Sequence, residues 1–396
     1  MPPASPPRPE RLTLLAGAVV GLSIVGDSLL YGVLPLDAAA LGLSLPLVGV
    51  LLSANRVTRL VVNTPVGLAY ERWGAARPFT AAALLGLLTV LIYALAPGFL
   101  LFLLARVVWG VAWSGLRLGG FHAVWAGPEA LRGRLMGLQS AAISVGAALA
   151  LLVGGYLRDA WGYRSAFLVM AGVAALAIPL SLLVRWPQHL RQPQERQRLP
   201  LRDWLLTLGR RQHWPVLLAT LAHIGAMTIL AATAALFLTT RITPGQIQAL
   251  GIGFGAAAGM ILAVRWLSDL VMGPALGEIS DRVGQPRLAV ALALLAWLGL
   301  AAAVFAQGFL SLLFLALVFL AGAGVTVALS AAATSIAARS PRPQLFLGAY
   351  ATAFDAGLAI GPILGLTLTP APLLPALYLL AATLSLAAIA LFWRLH

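Results

Sequence analysis

Apolar runs of helix-spanning length recur along this chain, and they limit what it can fold into more than any other feature. Stretches such as 84–96 and 310–320 carry no charged residue. A helix crosses the hydrocarbon of a bilayer with about 20 apolar residues. Lipid leaves the backbone only two ways to pair its own polar groups, helices and closed barrels. Barrel strands alternate polar and apolar residues, and these runs do not alternate. Charge supply agrees, because 61% of the 396 residues are hydrophobic and only 10% are charged, with a mean hydropathy of +0.94. A water-covered surface draws on roughly a quarter charged residues. The expectation is an all-α polytopic membrane protein of about twelve spans.

Those spans are expected at 12–36, 46–69, 79–96, 99–125, 135–157 and 165–185, then at 214–240, 247–273, 288–306, 309–337, 345–368 and 373–393. The first run is too long for a signal-peptide core and is read as a retained helix. One long polar segment, 186–213, carries Arg191, Arg196, Arg198, Arg202, Arg210 and Arg211 among Gln and Pro. It reads as a linker, with a short amphipathic helix around 201–208. It divides the chain into a six-helix half at 1–185 and another at 214–396.

The formal charge of +14 does not point to nucleic acid, because the positive excess is asymmetric about the membrane. All basic residues are Arg. Arg72 and Arg77, Arg132 and Arg134, the linker group, Arg282 and Arg287, and Arg339 and Arg342 fall on one side, with Arg8, Arg11 and Arg394. Only Arg158, Arg164 and Arg241 fall on the other. Positive loops stay inside, so both termini and the linker are expected in the cytoplasm and the chain in a cell inner membrane. The chain has no Cys, which excludes disulfides, thiolate metal sites and cysteine nucleophiles. Without Lys there is no phosphate-binding G-x-x-x-x-G-K-[ST] loop, and neither H-E-x-x-H nor G-x-S-x-G occurs. No enzyme activity, metal or cofactor is expected.

Two loops carry the most specific signal. Residues 67–77 read GLAYERWGAAR and residues 277–287 read GEISDRVGQPR. Both fit G-x-x-x-[DE]-R-x-G-x-x-R at an offset of 210 residues (277 − 67), and each follows the second span of its half. The halves therefore read as parallel structural repeats, an architecture that places a substrate site near the midplane between them.

These loops resemble the signature between helices 2 and 3 of the major facilitator superfamily, with Glu71 where Asp is commoner. Arg106 to Gly110 in the fourth span is similar to that family's R-x-x-x-G motif, and Gly162-Tyr163-Arg164 with Phe167 to its entry into helix 6. Gly357-x-x-x-Gly361-Pro362-x-x-Gly365 in span eleven resembles an element of drug–proton antiporters, which in that group lies in helix 5. The resemblance implies two pseudo-symmetric six-helix bundles. It also implies a conformational latch made by Gly67, Glu71, Arg72, Gly74 and Arg77 with Gly277, Asp281, Arg282, Gly284 and Arg287. Gly67 and Gly277 would allow close helix contact, and Gly74 and Gly284 would allow the turn.

Ionisable groups within spans cost at least ~2.5 kcal/mol each and are functional candidates by default. Asp27 lies mid-span, four residues from Ser23 and from Tyr31, on one polar stripe. A carboxyl group is made harder to ionise by desolvation and easier by a nearby Arg. Arg106 or Arg117 from span four could supply that Arg, and proton uptake by Asp27 would then switch the pair off. A permanently ionised structural pair is the competing reading. Arg106 and Arg117 share a helix face, being 11 residues apart. Arg117 could bind an anionic substrate group or balance Asp27 or Asp355. Ser53, Arg56, Arg59 and Asn63 make one polar face of span two, and Arg265 and Asp269 stand at i, i+4 in span eight. Asp27, Arg106 and Asp355 are the proton-coupling candidates. Tyr31, Arg56, Arg59, Arg117, His122, His223, Arg265 and Asp269 are the cavity candidates.

The expectation is a monomeric secondary transporter that meets lipid, protons and a small-molecule substrate, and that exports small organic molecules by proton coupling. Five intramembrane Arg against three Asp favour an anionic or zwitterionic cargo over a cationic one. Uptake or exchange of an anionic metabolite, or lipid flipping, is the alternative within transport. A polytopic membrane enzyme or sensor is the alternative outside it.

Overall fold

The computed structural model describes residues 9–95, 98–128, 131–187, 213–340, 343–367 and 371–395. Most of the linker expectation, including the amphipathic helix at 201–208, lies outside these residues. No strand occurs among those described.

The first span is α1 (Pro9–Ser23) followed by α2 (Val25–Asp37). Backbone hydrogen bonds run through the joint, Ile24 N to Val20 O and Ser28 N to Ile24 O at 3.0 and 2.9 Å. Ser23 Oγ donates to Val19 O at 2.8 Å, a back-bond that bends helices. Then come α3 (Leu45–Trp73), α4 (Ala76–Leu95) and α5 (Phe99–Trp125). Spans five and six form one helical path, α6 (Arg132–Ala175), which reverses at Gly162 where φ is 84° and ψ 168°. The short α7 (Ala177–Leu183) completes span six.

The remaining helices are α8 (Trp214–Arg241), α9 (Pro244–Gln248), α10 (Phe254–Val283), α11 (Gln285–Phe305), α12 (Phe309–Arg339), α13 (Pro343–Thr367) and α14 (Leu374–Leu395). Span eight begins later than the expected 247. Thr243 and Gln246 form a capping box that starts the separate α9, and Gly251 at φ 66° ends the turn after it. Ten stretches of the described residues are long and apolar enough to span, and one of these, Arg134–Leu183, holds two passes. Phe254–Ser268 is the apolar part of α10.

The 210-residue offset recurs in the backbone. Gly74 and Gly284 both have positive φ, 70° and 93°, at the helix breaks inside the paired loop motifs. Gly98 and Gly308, also 210 apart, have φ of 92° and 60° at the N-caps of α5 and α12. Only glycine enters that region freely.

Helices α1, α2, α4 and α5 pack with α6, and α3 packs on α5; α8 packs with α13 and α14, and α11 with α12 and α14. The two sets meet along α6–α10 and α3–α13, with α2 against α8 and α10. Pro9, Leu395 and the paired loops fall at one end of the bundle, the terminal end. The turns after α2, at Gly162 and before α10 lie at the far end.

Candidate functional site

A cavity of about 420 Å³ opens between α2, α3, α6, α8, α10 and α13. Asp27, Ser28, Tyr31, Arg56, Thr228 and Arg265 supply its polar wall; Leu151, Ala231, Leu262, Trp266 and Leu358 supply the apolar wall. A neighbouring cavity of about 410 Å³ shares Thr228 and Arg265 and adds Met227, Phe319 and Phe354. The lining, apolar with a few convergent polar groups, is of the kind found in small-molecule pockets.

Asp27 on this wall is ion-paired with Arg106. Both are buried, with 6% and 0% exposure. Arg106 is held from every side: Nε donates to Leu51 O at 2.8 Å, Nη2 to Leu52 O at 3.3 Å, and Nη1 to the Tyr93 hydroxyl at 3.2 Å. The guanidinium thus fastens α5 to α2, α3 and α4 while meeting one carboxylate. Tyr31 donates to Leu52 O at 3.2 Å, so it faces the same carbonyl. Of the two expected partners for Asp27, the structure selects Arg106.

Asp355 of α13 takes Arg59 of α3 as its partner at 2.5 Å, both almost fully buried. Arg117 Nη1 stands 4.0 Å from the same carboxylate, with its side chain 40% exposed and its guanidinium over the Phe121 ring. Arg59 was expected on the cavity wall, but it turns to Asp355 and away from the lining. Arg56 and Arg265 do line the cavity. Arg265 also lies over the Trp266 ring at 5.6 Å. The Asp269 side chain lies outside those described.

Neither histidine lines either cavity, contrary to expectation. His122 sits near the C-terminus of α5 among Tyr70 and Trp125, with ring centroids 5.1 and 5.9 Å away. His223 is buried between Gly322 O at 3.0 Å and Ser385 Oγ at 3.3 Å, tying α8 to α12 and α14. His223 is held by hydrogen bonds, whereas His122 is held by ring packing and its buried Nδ1 has no hydrogen-bond partner.

At the terminal end, Gly74 and Gly284 make the turns expected of them. Gly67 does not serve close contact: a Cβ there would meet nothing within 4 Å. Arg72 is exposed beside the Trp73 ring, Arg77 and Arg287 are exposed, and Glu71 is half-buried. Among the described residues none of these four makes an ion pair. The surroundings of Gly277 and the side chains of Asp281 and Arg282 lie outside those described.

The far end is tightly closed, through residues that the sequence reading took only for topology charge or did not single out. Arg158 donates to both oxygens of Asp37, at 2.5 and 2.9 Å, and to Asp159 at 2.9 Å. Asp159 in turn accepts the backbone N–H groups of Gly255 and Ala256 at 3.1 and 2.7 Å. It therefore caps the first turn of α10 from across the interface, where free N–H groups and the helix dipole both favour a carboxylate. Below it the helix backbones touch. A Cβ on Gly155 would lie 2.4 Å from Gly255 O, and one on Gly259 2.1 Å from Leu151 O. Between α3 and α13 a Cβ on Gly49 would lie 2.8 Å from Pro362 O. The spacing Gly255-x-x-x-Gly259 was the available signal for this contact.

The family model of the Major Facilitator Superfamily matches residues 16–270. The chain belongs to that superfamily. It is 28% identical over 381 residues to a chloramphenicol efflux pump of Mycobacterium tuberculosis, covering 92% of this chain and 86% of the pump. It is 29% identical over 297 residues to the multidrug resistance protein MdtG of Dickeya zeae, covering 71% and 68% of the two chains. Among solved structures, a bacterial homologue of the human lysosomal transporter Spinster, inward-facing and unoccupied, superposes with a TM-score of 0.71 at 16% identity. That match covers 99% of this chain and 98% of that one. The protein is thus a multi-pass membrane transporter of the major facilitator fold, acting within a lipid bilayer on small molecules.

Proposed function

We propose that this transporter exports small organic molecules from the cytoplasm in exchange for protons. The observation that carries the reading is Asp27, a carboxylate on the cavity wall whose counter-ion, Arg106, is buried behind it. A proton taken up by Asp27 cancels one charge of that pair and changes the field that a substrate meets. A relative named as a chloramphenicol efflux pump supports the outward direction. Arg-rich loops place the terminal end and both chain ends in the cytoplasm, in a bacterial inner membrane, with the protein working as a monomer.

On this orientation the far end faces outward and is shut. The exposed Arg117, and the absence of an ion pair at Glu71, Arg72, Arg77 and Arg287 among the described residues, fit a cavity that communicates with the cytoplasm. Halves 1–185 and 214–396 rock about the cavity, with 186–213 as their linker. The loops at 67–77 and 277–287 engage one another when the cytoplasmic end closes, which is when the latch role of Glu71, Arg72, Asp281 and Arg282 applies.

Asp27→Asn in proteoliposomes tests the coupling. Substrate flux down its own gradient is retained, and its acceleration by an imposed pH gradient disappears. An unchanged response to the pH gradient would sink the role given to Asp27.

A further inference from the structure

The charges in the cavity are not evenly matched, and the mismatch identifies the class of cargo. Asp27 is matched by Arg106, and Asp355 by Arg59 with Arg117 beside it. Arg56 remains on the cavity wall with no ion pair among the described residues, and its buried Nε has no hydrogen-bond partner. Ser28, on the same wall and 4% exposed, also has an unpartnered hydroxyl. Even with Asp269 assigned to its helical neighbour Arg265, the five membrane Arg exceed the three membrane Asp.

Tyr31 meets part of the Arg56 guanidinium, but its Nε and the Ser28 hydroxyl are buried without an acceptor, which is costly unless something accepts from them. We propose that Arg56 and Ser28 bind the anionic group of the cargo, a carboxylate or phosphate on a small organic molecule. Trp266 and Leu262 belong to the apolar part of the wall and take the body of that molecule. The assignment rests on the export function above and narrows it. It also fits the energetics of that direction: an inside-negative potential drives a monoanion outward with ~2.3 kcal/mol per 100 mV. A cation, by contrast, would find Asp27 and Asp355, the two described membrane aspartates, already occupied by arginine.

The test uses three probes of one shape and different charge, 4-nitrobenzoate, 4-nitrobenzamide and 4-nitrobenzylamine, with the purified full chain. Competition for binding and flux in proteoliposomes are both measured. The anion is expected to bind best and the amine worst. Arg56→Gln is expected to lower the preference for anion over amide about tenfold or more, since one charge-assisted contact is removed. Arg56→Lys restores part of it, and a normal unfolding temperature for each variant excludes misfolding. Equal binding of the three probes, a preference for the amine, or an unchanged anion-to-amide ratio in Arg56→Gln overturns the assignment. If the amide or amine is then still carried and still responds to the pH gradient, the export function stands and only the charge class fails. No carriage of any probe and no pH response would instead count against export itself.

Discussion

Asp159 is the side chain that joins the two sets of helices at the closed end, and its removal should open that end by a calculable amount. Its two oxygens accept the N–H groups of Gly255 and Ala256. Charge-assisted bonds of this kind contribute about 1.5–3 kcal/mol each when buried. The Asp159 side chain is 14% exposed, so water compensates part of the loss, and about 2 kcal/mol in total is the reasonable figure for Asp159→Ala. That corresponds to roughly a 30-fold rise in the ratio of outward-open to outward-closed protein. The chain has no Cys, so a single Cys at Ala231, a 1% exposed residue on the cavity wall, reports opening without background. Its labelling by a membrane-impermeant maleimide added outside the cell should accelerate by about that factor. Asp37→Asn is the matched control, because Asp37 meets Arg158 from α2, within the same set of helices. It should change labelling by less than about fivefold, as partly exposed ion pairs contribute ~1 kcal/mol or less. Equal labelling of Asp159→Ala and the parent, or an Asp37→Asn effect as large as that of Asp159→Ala, would refute the assignment of the lock.

Gly259→Val should produce the same accelerated labelling by steric means, since a Cβ there lies 2.1 Å from Leu151 O; slower labelling would show that the backbones separate elsewhere. His223→Gln should leave flux and its pH dependence intact while lowering the unfolding temperature slightly, because the ring bridges Gly322 and Ser385 and lines no cavity. A lost pH response in that variant would restore His223 as a proton carrier.

Much of the fold was legible because its cause is local. Apolar length alone located α5 and α8 to within a residue, and the paired loop motif placed the turns at Gly74 and Gly284. The pair Asp27–Arg106 was among those expected, since a carboxylate and an arginine at similar depth in neighbouring spans have few other options. Arg59–Asp355 was not found. The two residues are 296 positions apart, and hydropathy carries no register between α3 and α13. Asp159 was invisible for another reason: its cross-interface partners are backbone N–H groups, which have no side-chain signature. For the histidines the sequence left a packed role and a transport role both open, and only the folded neighbours show that His223 is satisfied by a carbonyl and a hydroxyl.

The two membrane ion pairs differ in what their arginines have left once the carboxylate is neutralised, and this separates the roles of the two aspartates. Arg106 keeps Leu51 O, Leu52 O and the Tyr93 hydroxyl. Protonating Asp27 therefore changes the charge of the cavity wall without leaving a buried cation unsupported, and the joint between α2, α3, α4 and α5 persists. Arg59 has Asp355 as its only side-chain partner among the described residues, its Nε is already without one, and it is 2% exposed. Neutralising Asp355 removes that support, and losing one member of a buried pair costs about 3–5 kcal/mol. A group that must gain and lose a proton in every cycle cannot carry that penalty each time. Asp355→Asn should accordingly lower the unfolding temperature of the purified protein well below that of Asp27→Asn. Arg59→Gln combined with Asp355→Asn should recover most of the loss, because no charge is then left alone. If Asp27→Asn were the more damaging of the two, Asp355 would be the better candidate for proton coupling and the assignment to Asp27 would have to be reversed.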